Sequence, residues 1–322
     1  MTTNIFNYAT KELTQDAFLM WLFDNYNKCD EPCVQKAALG LIEIFGINSI
    51  EKINVVRQYK KIDIKLIVDT KDKKRIAVYI EDKTTSEEHD QLTNYNKIID
   101  GEKEEYDDVK KIYYKTFIIR EEEKNRIEKA DWTIVHFDKI VEFWKQFISV
   151  PNLILNNYAK HVTEIFDDLN NKERPNDNEI FTLNKWIGYF KNVLIPEICE
   201  EYSCDWENYR NHYVYLEIRP KNYGKGYPYY EIRSNECYDN KFRALIQIFE
   251  LNEDIFSKKD IKEEIQKIIK DKNRDSLYTC YNYENQIGQT NFKDDIDDEK
   301  FVGIFKDTLK EFKEIFDSII SN

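Results

Sequence analysis

The chain is predicted to be an α/β protein: a mixed central sheet flanked by helices, followed by an α+β C-terminal region. Three observations carry this. Runs rich in β-branched and apolar residues, some with charges at alternate positions, recur at 53–59, 62–68, 75–83, 111–120 and 132–137, as strands require. Segments with helical spacing of apolar residues precede these runs and fall between them. The resulting order is helices, three strands, helix, strand, helix, strand, helix, which suits one sheet covered by helices.

Residues 10–26 (TKELTQDAFLMWLFDNY) form the first helix, with Leu13, Phe18, Trp21 and Leu22 as its apolar stripe. Residues 32–46 form the second, and Glu43 lies within its apolar face. The strand 53–59 (INVVRQY) places Arg57 and Tyr59 beside the next strand, Ile62 to Val68. After a charged turn, Arg75 to Lys83 (RIAVYIEDK) contains a nearly continuous apolar run, Ile76 to Ile80. Such a run suits an interior strand covered on both faces. Thr84 and Thr85 are followed three positions later by Glu87 and Glu88, a capping-box pattern that opens a helix. On that helix Gln91 and Tyr95 are four apart and share a face. Residues 121–130 and 138–148 supply further helices, and 151–169 reads as helical after Pro151.

The stretch NNKERPND (170–177) is the most loop-like in the chain and divides it into domains 1–172 and 173–322. Beyond it, 179–202 is expected to be helical and 212–218 (HYVYLEI) a strand. The turn NYGKGYP joins that strand to YYEIRS as a hairpin. Residues 240–272 read as largely helical, 277–283 as a strand, and 297–320 as an amphipathic helix with Phe301, Phe305, Leu309, Phe312 and Phe316 on one side. This region is expected to bind substrate, regulate or dimerise. The hairpin's interleaved tyrosines and cations (Tyr213, Tyr215, Arg219, Lys221, Arg233) suit either base stacking or plain packing.

Composition narrows the functional classes. The 322 residues carry 61 acids against 48 Lys and Arg, a net charge of −13, which argues against indiscriminate nucleic-acid binding over the whole surface. The strand region is locally basic, with Arg57, Lys60, Lys61, Lys65, Lys74 and Arg75 among its cations. No apolar run reaches the length of a membrane span and the N-terminus lacks a signal-peptide pattern, so a cytoplasmic protein is expected. The abundance of Lys, Asn, Ile, Tyr and Phe points to an AT-rich bacterial or phage genome. Six irregularly spaced cysteines do not form a disulfide framework, and Cys29, Cys33, Cys199 and Cys204 lack the spacing expected of an iron–sulfur site. There is no phosphate-binding Gly-rich loop with Lys-Ser/Thr. His89-Asp90 lacks the further ligands an HD phosphohydrolase needs.

The chemistry concentrates in 62–95. Side chains alternate along a strand, so Glu81 and Lys83 share one face while Asp82 points away. If the neighbouring strands form a hairpin, Asp63 meets Glu81 near the sheet edge. Converging carboxylates repel unless a cation lies between them. Mg²⁺ or Mn²⁺ suits the position, because Mg²⁺ takes oxygen ligands and is commonly held by one or two carboxylates. Lys83 then supplies a point charge beside a water or a phosphate. A solvated surface hairpin is the alternative reading of these residues alone.

Taken with Gln91 and Tyr95, the order Asp63, Glu81, Lys83 resembles the PD-(D/E)XK nuclease superfamily, specifically its RecB-like branch with Gln-x-x-x-Tyr. Ile62 stands where the eponymous proline would be. The resemblance covers about the first half of the chain and implies a restriction-endonuclease-like fold and metal-dependent hydrolysis of phosphodiester bonds, DNA more than RNA, in defence against foreign DNA or in DNA processing. It implies metal ligation by Asp63, Glu81 and the Asp82 backbone carbonyl, with Glu12 as the first-helix acid and Asp16 or Glu43 as its rivals. Lys83 assists the water, and Gln91 and Tyr95 orient the site. Tyr95, Arg57 and Lys65 are the expected nucleic-acid contacts. The competing expectations are a catalytically silent binding module, with a homodimer through the C-terminal region possible in either case, and an effector gated by a ligand.

Overall fold

The computed structural model describes residues 4–7, 12–88, 90–175, 183–209, 213–221, 229–234, 242–247, 263, 267, 279–280, 286–291 and 298–320. The chain divides into two compact units, Met1–Asp167 and Asp168–Asn322.

The first unit opens with helices α1 (Glu12–Asn25) and α2 (Pro32–Ile44). Strands β1 (Ile50–Tyr59), β2 (Ile62–Thr70) and β3 (Arg75–Lys83) follow, then α3 (Gln91–Asp100), β4 (Asp108–Lys115), α4 (Glu121–Lys129), β5 (Thr133–Val135), α5 (Phe137–Lys145) and α6 (Leu153–Leu169). The five strands lie in the order β1-β2-β3-β4-β5. β1, β2 and β3 run antiparallel, whereas β4 and β5 are parallel to β3. The sheet is therefore mixed, with helices on both faces.

Alternation along β3 sorts its residues between two cores. Ile76, Val78 and Ile80 pack with Leu19, Leu22 and Phe23 of α1, Ala38 and Leu41 of α2, and Trp144 of α5. Ala77 and Tyr79 pack with Leu92, Tyr95 and Ile99 of α3 and with Ile127 and Trp132. Every β3 residue after Arg75 is buried, as its apolar run requires.

Some boundaries differ from expectation. Leu13 is exposed on α1 and does not join the apolar stripe, while Phe18 and Leu22 do. The helix after β3 starts at Gln91 rather than near Thr84, and Asp90 at its head is left-handed with no side-chain cap. Glu88 supplies the cap by another route: its carboxylate accepts the Leu92 N–H at 3.2 Å. His89 lies outside the described residues.

In the second unit α7 (Leu183–Tyr189), a π-helical stretch (Phe190–Leu194) and α8 (Ile195–Ile198) precede strands β6 (Tyr202–Tyr209), β7 (Tyr213–Pro220), β8 (Tyr229–Ser234), β9 (Phe242–Gln247), β10 (Thr279–Cys280) and β11 (Gln286–Asn291). All neighbouring pairs in this sheet are antiparallel, and the strand order is β10-β11-β9-β8-β7-β6. Helix α9 (Asp298–Ile320) closes the unit and buries Phe301, Phe305 and Leu309. Gly188 is required by close approach, since a Cβ there would lie 2.3 Å from the Asp168 carbonyl oxygen. The expectation of helix over 240–272 fails at Phe242–Gln247: FRALIQ pairs with β8 on one side and β11 on the other, and the ladder overrides its local helical spacing. The NYGKGYP turn and the Phe312 and Phe316 side chains lie outside what is described. No helix among the described residues is long and apolar enough to cross a membrane.

Candidate active site at the ends of β2 and β3

The β2–β3 ladder pairs Ile64 with Ile80, so continuing the register sets Asp63 opposite Glu81. The junction is tied by the Asp82 backbone N–H, which donates to Asp63 Oδ2 at 2.9 Å. Lys83 Nζ lies 2.7 Å from Glu81 Oε1 and 3.9 Å from Glu12 Oε2 on α1. Ser86 donates its hydroxyl to the other Glu12 oxygen. Glu81 is 1% exposed, and its Oε2 is buried with no hydrogen-bond partner. Asp63, Glu81 and Lys83 are thus brought together, with Glu12 at the rim.

Asp82 takes the opposite face and does not reach solvent. Its Oδ1 accepts from Gln15 Nε2 at 2.6 Å, and the same amide donates to the Lys83 carbonyl at 3.2 Å. Gln15 Oε1 accepts from Thr116 Oγ1 at 2.7 Å and from Tyr158 OH at 3.2 Å. One buried amide, its donors and acceptors all engaged, therefore ties α1 to the ends of β3 and β4 and to α6. Asp16 sits beside it; Asp16 Oδ1 and Asp82 Oδ2 are both buried without a hydrogen-bond partner.

The electrostatics follow from five carboxyls, Glu12, Asp16, Asp63, Glu81 and Asp82, sharing one ammonium. Burial, and then the charge of Asp63, push the Glu81 pKa up to about 8. Burial and again Asp63 push Asp16 up to about 7. Burial also raises Asp63, against the lowering effects of the Asp82 N–H and Lys83. Asp82, with no exposed surface, is raised well above the carboxylate range by burial and by Asp16. For Lys83 burial favours proton loss, but Glu81, Glu12 and Asp63 outweigh it and hold the ammonium charged. Such a cluster binds protons tightly because it lacks positive charge.

The residues present fit a divalent ion of the magnesium type. No three Asp, Glu, His or Cys side chains among the described residues form a ready-made cage. Mg²⁺, however, commonly uses one or two carboxylates and completes its shell with water or substrate oxygens. Asp63 and Glu81, the latter with an unsatisfied buried oxygen, supply that donor set.

Other expected residues fall elsewhere. Lys65, expected at a nucleic-acid surface, is 4% exposed. It pairs with Glu102 at 2.7 Å and packs over the Tyr59, Tyr79 and Tyr106 rings. Position 65 places it on the Tyr79 face of the sheet, so core packing claims it. Tyr95 is likewise buried, and its hydroxyl donates to the Lys61 carbonyl at 2.9 Å. Gln91 is exposed at the first position of α3, and Arg57 is exposed on β1. Glu43 is exposed and lines a surface groove of about 700 Å³ with Leu39, Phe143 and Phe147, a lining that includes neither Asp63 nor Glu81.

Three features were not read from the sequence. Gln15 enters the cluster from α1, between the two acids, Glu12 and Asp16, that the sequence offers on that helix. Glu102 gathers Tyr59, Lys60, Lys65 and Tyr79 at 2.5–2.9 Å. Burial pushes its pKa up, but those donors outweigh burial and hold it down at about 2. Lys115 and Glu123 form a fully buried ion pair at 2.8 Å, joined by Tyr113 OH at 2.6 Å. These pairings join residues on different elements, and spacing alone gives no sign of them. No family model matches this chain, and comparison with curated proteins and with solved structures returns no significant match.

Proposed function

We propose that the protein is a Mg²⁺- or Mn²⁺-dependent nuclease that hydrolyses phosphodiester bonds, with DNA as the preferred substrate, in a restriction-endonuclease-like fold. The observation that carries this reading is the meeting of Asp63, Glu81 and Lys83 at the ends of β2 and β3, with Glu81 Oε2 buried and unsatisfied. A dication bound there would polarise a phosphoryl oxygen and acidify a water.

The chain's own residues supply the rest. Asp63 is oriented by the Asp82 N–H, which occupies Oδ2. Glu81 is fixed by Lys83 through Oε1. Because its acidic neighbours keep Lys83 protonated, Lys83 acts as a charge and donor toward the phosphate, not as the base that takes a proton from water. Ser86 and Glu12 hold the rim. Asp16 is the α1 acid nearest the interior of the cluster.

Incubation with single- and double-stranded DNA and RNA, with Mn²⁺ or with chelator, tests the reading. Metal-dependent cleavage is expected, and Lys83→Ala should lower its rate by at least about 100-fold while circular dichroism stays native. Binding without cleavage under every metal condition would instead identify a silent binding module.

A further inference from the structure

The turn between β1 and β2 has two residues, Lys60 and Lys61, because Tyr59 pairs directly with Ile62. Both are left-handed, with φ of 53° and 76°. A two-residue hairpin with positive φ at both positions is the type I′ turn, which favours Asn-Gly and strains side chains with a full Cβ. Among the described residues this is the one place where two consecutive non-glycine residues are left-handed. Lysines therefore stand where the backbone would prefer other residues, and the surrounding structure has to hold them there.

It does so from both sides. The buried Tyr95 hydroxyl donates to the Lys61 carbonyl at 2.9 Å. Lys60 is bound to Glu102 at 2.6 Å and lies 5.1 Å above the Tyr59 ring. With Lys65 buried on the same carboxylate, two of the three neighbouring ammonium groups are committed internally. Lys61 is exposed and, among the described residues, takes part in no ion pair. It stands two residues before Asp63, beside a cluster with four more carboxyls than it has ammonium groups. An exposed cation on a turn whose backbone is held close to Asp63 attracts a polyanion toward that end of the strands.

Resting on the nuclease reading above, we infer that the Lys60–Lys61 turn is a nucleic-acid contact in which Lys61 grips a backbone phosphate next to the scissile position. Tyr95 then acts as a positioning residue for the turn and does not touch the strand.

The test uses the full chain, wild type and with Lys61→Gly or Lys60→Ala. Binding of a fluorescein-labelled oligonucleotide, single-stranded and duplex, is followed by anisotropy over a range of salt, with EDTA and again with Ca²⁺. Glycine removes the charge and relieves the φ strain together. Lys61→Gly should raise the thermal midpoint by about 2–4 °C and weaken binding several-fold. The slope of log affinity against log salt should fall by about 0.7–0.9, one phosphate's share. Lys60→Ala should leave that slope unchanged. Unchanged affinity and slope in Lys61→Gly overturn the inference, as do equal losses in both variants, which would mean general charge and not a specific grip. Failure of the wild type to bind either oligonucleotide overturns it together with the nuclease reading, whereas an effect confined to the variants' comparison touches this inference alone.

Discussion

Asp82 shows what strand alternation leaves open. Alternation places it away from Glu81 and Lys83, which is correct, but away from them is the interior beneath α1, not solvent. Its carboxyl, Asp16 and Glu81 are all raised, and that sets a pH dependence. Glu81 has an ordinary pKa of 4.5 and about 8 in the fold, and Asp16 moves from 3.8 to about 7. The folded state thus binds these protons more tightly than the unfolded chain. Their contribution to stability is complete below the unfolded values and is lost as pH rises through about 7 to 8. In chelator the melting temperature should fall between pH 6 and 8.5. Mg²⁺ should reduce that fall and release protons on binding, which calorimetry in buffers of differing ionisation heat would measure. The Lys115–Glu123 pair gives the second prediction at this scale. Both side chains are essentially unexposed, so Glu123→Gln strands a buried ammonium and should cost about 3–5 kcal/mol in urea unfolding.

At the level of elements, the strand positions were the most legible part of the first unit. β2 and β3 have unmistakable alternation and apolar continuity, and their register brings Asp63 to Glu81 as the pattern implies. The head of α3 was misread because Thr84 and Thr85 offer a capping pattern, while the chain uses Glu88 to cap a helix that begins at Gln91. FRALIQ was misread because a short apolar run fits either period, and only its partners decide. Packing of α1 depends on Gln15, whose amide is fully used between β3, β4 and α6. Gln15→Leu keeps the volume and leaves Asp82 Oδ1, Thr116 and Tyr158 short of a partner. A loss of about 1–3 kcal/mol is expected, and hydrogen exchange should show weakened protection in α1 before β2.

For the whole molecule, the described residues of the two hydrophobic clusters around the first sheet all precede Asp168. A fragment of residues 1–172 should therefore unfold cooperatively on its own and retain metal-dependent proton release; a non-cooperative melt would mean that the second unit completes its fold. The second unit was the less legible half. Its sheet pairs β9 with β11 across a long separation, and β6 and β11 carry no turn chemistry strong enough to announce them.

The amide of Gln15 also connects the acid cluster to an indole. From Asp82 the path runs through Gln15 to Tyr158 OH, then 3.4 Å to Tyr114 OH, and Trp144 Nε1 donates to that hydroxyl at 2.9 Å. The ring of Trp144 is wholly enclosed, so its emission should follow this relay of dipoles more than the solvent. Occupation of the acidic pocket should register as a change in Trp144 fluorescence that Trp144→Phe abolishes, giving the protein a gauge of its own ligation that needs no added label.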